Sequence, residues 1–155
     1  MKKTLAILVS MFFFVASSSA VSQEEIVTTT STKVALEKEP DDPALLTELG
    51  LTYLKKEQFQ KAIPPLEKSL QFQKDNFKSH FYLALAYGAV GRHPEKLKEL
   101  QEALHLNPDY AEANFKIGLA HAAVNRHQEA SEYYRTAIKL EPEKLKELQE
   151  ALHLN

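Results

Sequence analysis

Apolar residues recur every three to four positions along most of this chain, the spacing that places them on one face of an α-helix. The two-residue alternation typical of a strand is not sustained anywhere. The pattern also has a longer period, because residues 34 positions apart match: Phe81 and Phe115, Leu85 and Leu119, Arg92 and Arg126, His93 and His127, and Pro108 and Pro142. Each unit holds two amphipathic stretches, which predicts a pair of helices. The predicted first helices span 43–56, 77–90 and 111–124, and the predicted second helices span 59–73, 94–106 and 128–140.

Residues that favour turns lie between these stretches. Gly91 and Asn125 follow the first helices at equivalent points, and both residue types tolerate the left-handed conformation that ends a helix. Asp75, Asn76 and the segment 107–109 precede first helices, so we expect their side-chain oxygens to cap the free N–H groups there. The turn residues therefore agree with the helix period and predict an all-α fold.

Small and aromatic residues recur in a fixed order within each unit. The first unit carries Leu46, Leu49, Gly50, Tyr53, Ala62, Leu66 and Ser69; the second carries His80, Leu83, Ala84, Tyr87, Lys96, Leu100, Ala103 and Pro108; the third carries Asn114, Ile117, Gly118, His121, Ala130, Tyr134, Ala137 and Pro142. This order resembles the tetratricopeptide repeat family over about residues 43–144. The resemblance implies an α-α superhelix, or solenoid, of about three helix-turn-helix repeats, at 43–76, 77–110 and 111–144. It also implies binding of other proteins on the concave surface that the first helices line.

The N-terminus has the pattern of a bacterial secretory signal peptide. Lys2 and Lys3 precede an apolar run of twelve residues, and Ser18 and Ala20 are the small residues that predict cleavage after Ala20. Because a membrane span needs about 20 apolar residues, a permanent anchor is the less favoured interpretation. We therefore expect a periplasmic or secreted protein with no stable membrane anchor once residues 1–20 are removed.

The two segments that flank the repeats differ in character. The polar, Thr-rich segment 21–33 is predicted to be a linker, and residues 34–42 are predicted to be a partial N-terminal half-repeat. At the other end, the sequence PEKLKELQEALHLN occurs twice, as residues 94–107 and 142–155. The second copy keeps an apolar stripe, so residues 145–155 are predicted to form a helix that caps the third repeat. Exchange of this segment between two copies of the chain is the alternative.

The composition excludes most catalytic chemistry. The chain has no cysteine and only four glycines, with neither a thiolate site nor a glycine-rich phosphate loop. Its net charge of −2 provides no basic field for nucleic acid. His93 and His127 lie one repeat apart, too far to share a zinc ion, so packing is their favoured role. We therefore expect no enzymatic activity, no cofactor, no metal and no nucleic-acid partner.

The resemblance places ten residues on the concave surface: Thr47, Leu51, Lys55, Lys78, Phe81, Leu85, Tyr110, Glu112, Phe115 and Leu119. They predict an apolar groove for a helix or an extended segment of a partner protein. Two other interpretations stay open: Phe81 and Phe115 belong to the core, or the tail of the chain covers them. The expected function is a non-catalytic scaffold or adaptor in the bacterial cell envelope. The alternatives are a self-associating structural subunit, which would form a homo-oligomer, and a truncated accessory fragment of a larger envelope assembly.

Overall fold

The computed structural model describes the backbone of residues 23–143 and the side chains of residues 30–143. This part of the chain consists of seven helices and contains no strand: α1 (Gln23–Lys38), α2 (Pro43–Lys55), α3 (Phe59–Phe72), α4 (Phe77–Ala89), α5 (His93–Leu106), α6 (Ala111–Ala123) and α7 (His127–Leu140). The predicted all-α fold is confirmed, and each of the six predicted helices begins and ends within one residue of its observed bounds. The predicted leader and the predicted capping helix lie outside the described residues.

The six helices from α2 to α7 pack as three consecutive hairpins. Helix α2 packs along α3, α4 along α5 and α6 along α7, and the pairs stack through contacts of α4 with α2 and α3, and of α6 with α5. Small residues permit this close approach. A Cβ on Gly50 would overlap the side chain of Leu66, and one on Gly118 would lie 2.6 Å from Cε1 of Tyr134. The hairpins therefore form the helical-repeat solenoid that the 34-residue period predicts.

The turns within the three hairpins share one backbone conformation. Glu57, Gly91 and Asn125 follow the first helices at intervals of 34 residues, and their φ angles are 56°, 81° and 61°. The prediction for Gly91 and Asn125 is therefore confirmed. Glu57 adopts the same left-handed conformation although its Cβ makes that conformation costly. Because glutamate does not favour this conformation, the residue type did not predict the turn.

Side chains cap the N-termini of α2 and α4, the first helices of repeats 1 and 2. Oδ1 of Asp42 accepts hydrogen bonds from the N–H groups of Ala44 and Leu45, at 2.7 and 3.0 Å. Oδ1 of Asn76 accepts one from the N–H of Ser79 at 3.2 Å, as predicted. Each carboxylate or amide oxygen satisfies N–H groups that have no partner within the helix.

The first helix of repeat 3, α6, begins differently. Helix α6 follows Tyr110, which makes no side-chain cap, so the cap predicted from residues 107–109 is wrong. The side chain of Asn114, one turn into the helix, bonds back to this turn instead. Its Nδ2 donates to the carbonyl oxygens of Pro108 and Tyr110, each at 3.0 Å. The turn is thus stabilised through its carbonyl oxygens rather than through the N–H groups of the helix.

The segment predicted to be a linker is helical from Gln23 onward, as part of α1. The sequence favoured a linker because this stretch lacks an apolar stripe. The helix instead packs on α2, and the side chain of Thr32 is buried there. Tertiary contact of this kind stabilises helices that their own sequence pattern does not predict. None of the helices between residues 23 and 143 is long and apolar enough to cross a membrane.

A buried hydroxyl cluster joins repeats 1 and 2, at a contact here named the first junction. It comprises Thr47 of α2, Ser69 of α3 and Ser79 of α4, all buried. Thr47 and Ser69 donate to the carbonyl oxygen of Pro43 at 2.7 and 2.9 Å. Because each hydroxyl has one proton, Ser79 then donates to Oγ1 of Thr47, which lies 2.6 Å away. The cluster therefore satisfies its own polar atoms.

The contact between repeats 2 and 3, here named the second junction, is apolar. Phe81, Ala103 and Ala113 occupy the positions equivalent to the three hydroxyl residues, and Tyr110 replaces Asn76. All three equivalent residues belong to one core cluster, and Phe81 is 1% exposed. The Tyr110 ring packs edge-on against Phe81, with the ring centroids 4.8 Å apart. The two junctions thus use equivalent positions of the repeat, but the first is polar and the second is apolar.

Candidate partner-binding surface

Three equivalent leucines mark the accessible apolar part of the first helices. They are Leu51 in α2, Leu85 in α4 and Leu119 in α6, at intervals of 34 residues, and they are named here the leucine row. Leu51 and Leu85 are half-buried, and Leu119 is 43% exposed. Helix α2 contacts α4 directly, so the first helices of repeats 1 and 2 are neighbours. The row therefore offers an apolar side chain from each repeat.

The structure corrects two of the ten predicted groove residues. Thr47 belongs to the hydroxyl cluster, and Phe81 belongs to the core cluster. Phe81 is enclosed because Ala113 lets α6 approach closely while the ring of Tyr110 covers it from the turn. The interpretation of Phe81 as a core residue is therefore the one that the structure supports. Neither side chain is available to a partner.

Two aromatic groove residues make packing contacts and keep part of their surface. Tyr110 is half-buried, and its ring lies edge-on to Phe77 with the centroids 5.3 Å apart. Burial raises the pKa of its hydroxyl well above the usual range for tyrosine. Phe115 is half-buried and lies against Tyr134, with a centroid distance of 5.6 Å. Each ring therefore packs against another aromatic ring while part of its surface stays exposed.

Charged and polar groups flank the leucine row. Lys55 and Lys78 are exposed, and Glu112 is half-buried. Tyr82, which the sequence analysis missed, packs against both core clusters. Burial raises its pKa, and the negative charge of Glu112 raises it further. The equivalent residues in the other repeats are charged, so the repeat pattern gave no signal for an aromatic residue here.

Two polar contacts fix helix α4, which carries the middle of this face. The hydroxyl of Tyr87 donates to Oε1 of Glu67 in α3 at 2.6 Å. Burial and this hydrogen bond raise the pKa of Tyr87 to about 12. On the other side, Nδ1 of His80 lies 2.6 Å from Oε2 of Glu99 in α5. Leu85 and Lys78 are therefore held on a helix that is tied to both of its neighbours.

The described histidines are structural or exposed. The ring of His121 stacks on Tyr133 with the centroids 5.4 Å apart, and His93 and His127 are exposed. Across residues 30–143, no group of three or more His, Asp or Glu side chains is arranged to hold a metal ion.

Comparison with known families agrees with this architecture. Family profiles described as tetratricopeptide repeat match residues 43–76 and 81–144, which together make up well over half of the chain. Folds of this class are protein-interaction scaffolds and are typically non-catalytic. The chain belongs to the tetratricopeptide repeat family.

Solved structures of the protein MamA are similar to this chain. A structure of MamA from AMB-1 is 28% identical, with a TM-score of 0.64, and the match covers 81% of this chain and 72% of that one. MamA from Desulfovibrio magneticus RS-1 is 21% identical, with a TM-score of 0.68 and coverage of 77% and 68%. A further MamA crystal structure, 23% identical with a TM-score of 0.69, covers 86% and 73%. The last two comparisons show a shared fold alone. The comparison with curated protein sequences found no match.

Proposed function

We propose that this chain is a non-catalytic adaptor of the bacterial cell envelope that holds a segment of a partner protein against its first helices. The leucine row carries the proposal, because each repeat contributes one partly exposed leucine at the same position, and Leu119 is 43% exposed. Isolated exposed leucines are common, whereas a row with the period of the repeat matches the way such folds bind a segment. The expected occupant is a helix or an extended strand with apolar anchors.

Export supports the cellular part of this proposal. The basic N-terminus, the apolar run and the small residues up to Ala20 form a complete secretion pattern in the sequence. Mass spectrometry of the chain recovered from the periplasm or medium should find an N-terminus at Val21. An uncleaved chain that stays in the cytosol would contradict the envelope location without affecting the proposed binding face.

A matched pair of leucine variants tests the binding face. Leu119 is 43% exposed on a first helix, and Leu97 is 37% exposed on a second helix, so the two offer similar apolar area on different elements. We expect Leu119→Ser to lose a protein that crosslinks to the chain in intact cells, while Leu97→Ser keeps it. Circular dichroism of both variants controls for loss of the fold. Equal recovery of the partner with both variants would contradict binding at the leucine row.

A second candidate function is self-association. The chain's last fourteen residues repeat the sequence of 94–107, which in α5 buries Leu100 and Ala103 completely. That sequence is therefore known to pack against first helices of this fold. Light scattering of the full chain over a range of concentrations, compared with a chain ending at residue 143, tests this candidate. A dimer that persists without the tail would exclude tail-mediated assembly.

A further inference from the structure

The carbonyl oxygen at one position of each inter-repeat turn accepts a hydrogen bond from a side chain. The three pairs are Pro40 with Nζ of Lys68 at 2.9 Å, Lys74 with Nε2 of His80 at 2.9 Å, and Pro108 with Nδ2 of Asn114 at 3.0 Å. The accepting residues are 34 positions apart, and His80 and Asn114 are themselves equivalent. The same bond therefore closes the second and third turns with two different donors.

His80 differs from Asn114 because its second ring nitrogen is also engaged. Nδ1 lies 2.6 Å from Oε2 of Glu99, and both side chains are only 13% exposed. A backbone carbonyl can only accept, and an ionised carboxylate can only accept. A neutral imidazole has one N–H and can satisfy one of these two partners. Only the imidazolium, with an N–H on each nitrogen, satisfies both.

We propose that His80 is a proton-dependent clasp that ties the turn between repeats 1 and 2 to helix α5. In its protonated form the ring bridges the Lys74 carbonyl and the Glu99 carboxylate. Loss of one proton removes the donor from one of these acceptors, either from the part-buried Glu99 carboxylate or from the Lys74 carbonyl at the exposed turn. The clasp therefore weakens as the solution becomes more alkaline.

The charges around the ring agree with this assignment. Helix α5 presents Glu99 and Glu102, and the turn presents the Lys74 carbonyl. Burial by itself lowers the pKa of His80, but the hydrogen bonds to Glu99 and to the Lys74 carbonyl, together with the two negative charges, outweigh it. The pKa of His80 thus lies above its ordinary value of 6.5.

The sign of the pH effect follows from that direction. A group whose pKa is higher in the folded state stabilises the fold fully below its unfolded pKa, and this stabilisation is lost as pH rises through the folded pKa. The chain should therefore be more stable near about pH 6 than near about pH 9, other titrations being equal. For a protein outside the cytoplasm, as proposed above, the clasp would link repeat 2 to the pH of its surroundings.

The first test is a nuclear magnetic resonance titration of His80 in the purified, unaltered chain. We expect its ring to titrate above the ordinary histidine value, and Glu99→Gln to lower that pKa. A ring that titrates at or below about 6.5 in the unaltered chain would overturn the proposal. The titration of the unaltered chain decides this outcome whether or not Glu99→Gln folds.

The second test uses an asparagine that the chain already employs at this position of repeat 3. His80→Asn retains a donor for the Lys74 carbonyl but cannot titrate. The urea midpoint of this variant should therefore fall much less between about pH 6 and about pH 9 than the midpoint of the unaltered chain. In the unaltered chain, the equilibrium constant for unfolding should increase as the pH rises from below the unfolded pKa of His80 to above its folded pKa. The increase should be tenfold for each pKa unit by which the folded value exceeds the unfolded value. His121→Asn, which removes a stacked histidine, should keep the original pH dependence. Equal pH dependence in the unaltered chain and His80→Asn would contradict the clasp.

Discussion

The first and second junctions solve the same packing problem with different chemistry. At the first, Thr47, Ser69 and Ser79 bury three hydroxyls that bond to one another and to the Pro43 carbonyl. At the second, a fully buried Phe81 and two alanines fill the same positions. Hydroxyls require particular donors and acceptors, whereas an apolar contact requires only matching shape. A repeat register therefore determines where residues meet without determining what holds them together.

The comparison also separates two kinds of energetic contribution. Burial of Phe81 removes a large apolar surface from water, which contributes directly to stability. The hydroxyl cluster gains little net energy per bond, because each bond replaces one made with water. Its members are instead costly to remove singly, since a buried partner then loses its bond. No buried side-chain polar atom in the described residues lacks a hydrogen-bond partner.

The largest expected effect is at the second junction. Phe81→Ala should lower the free energy of unfolding by about 3–5 kcal/mol, because it removes a fully buried ring and leaves a cavity. Urea denaturation followed by circular dichroism measures this loss. Leu85→Ala, at a half-buried position of the same helix, should cost less. A loss of less than about 1 kcal/mol for Phe81→Ala would show that the ring is not a core residue.

A smaller effect is expected at the first junction. Ser79→Ala should cost about 1–3 kcal/mol, because it removes a donor to Oγ1 of Thr47 in a buried site. Adding Ser69→Ala reproduces the two alanines of the second junction. We expect the double variant to lose less than the sum of the two single variants, since Thr47 still donates to Pro43. Strict additivity in a double-mutant cycle would mean that the hydroxyls act independently.

The smallest effect distinguishes the two helix starts. Asn76→Ala should cost about 1 kcal/mol, because Asn76 caps α4 through the N–H of Ser79. The equivalent Tyr110 makes no side-chain cap, so Tyr110→Phe, which keeps the ring contacts, should change stability by less than about 0.5 kcal/mol. Thermal unfolding of both variants checks the difference. Equal losses would show that the tyrosine hydroxyl contributes as much as the asparagine cap.

The sequence predicted the helices well because their bounds depend on local properties. Apolar period and turn residues such as Gly91 and Asn125 are visible in any single repeat. Glu57 was missed because its left-handed conformation is imposed by the hairpin rather than favoured by the residue. The first part of helix α1, up to residue 33, was predicted to be a linker for a related reason, since its contact with α2 rather than an apolar stripe stabilises it.

The binding face was less predictable, because exposure depends on neighbours from another repeat. Thr47, Phe81 and Phe115 are equivalent in the sequence, yet the first two are buried and the third is half-buried. Phe81 is enclosed by Ala113 and Tyr110, which the 34-residue register alone does not reveal. The hydroxyl cluster was likewise invisible, since its members come from three helices. For the other eight predicted groove residues, partner binding stays a prediction.

The most direct measurement of the central claim is site-specific photocrosslinking in living cells. A photoreactive residue at position 119 lies in the leucine row, and one at position 97 lies at similar exposure on α5. We predict that position 119 yields a discrete adduct with another protein and that position 97 yields none. Adducts at position 97 alone, or at neither position, would contradict a partner-binding face on the first helices.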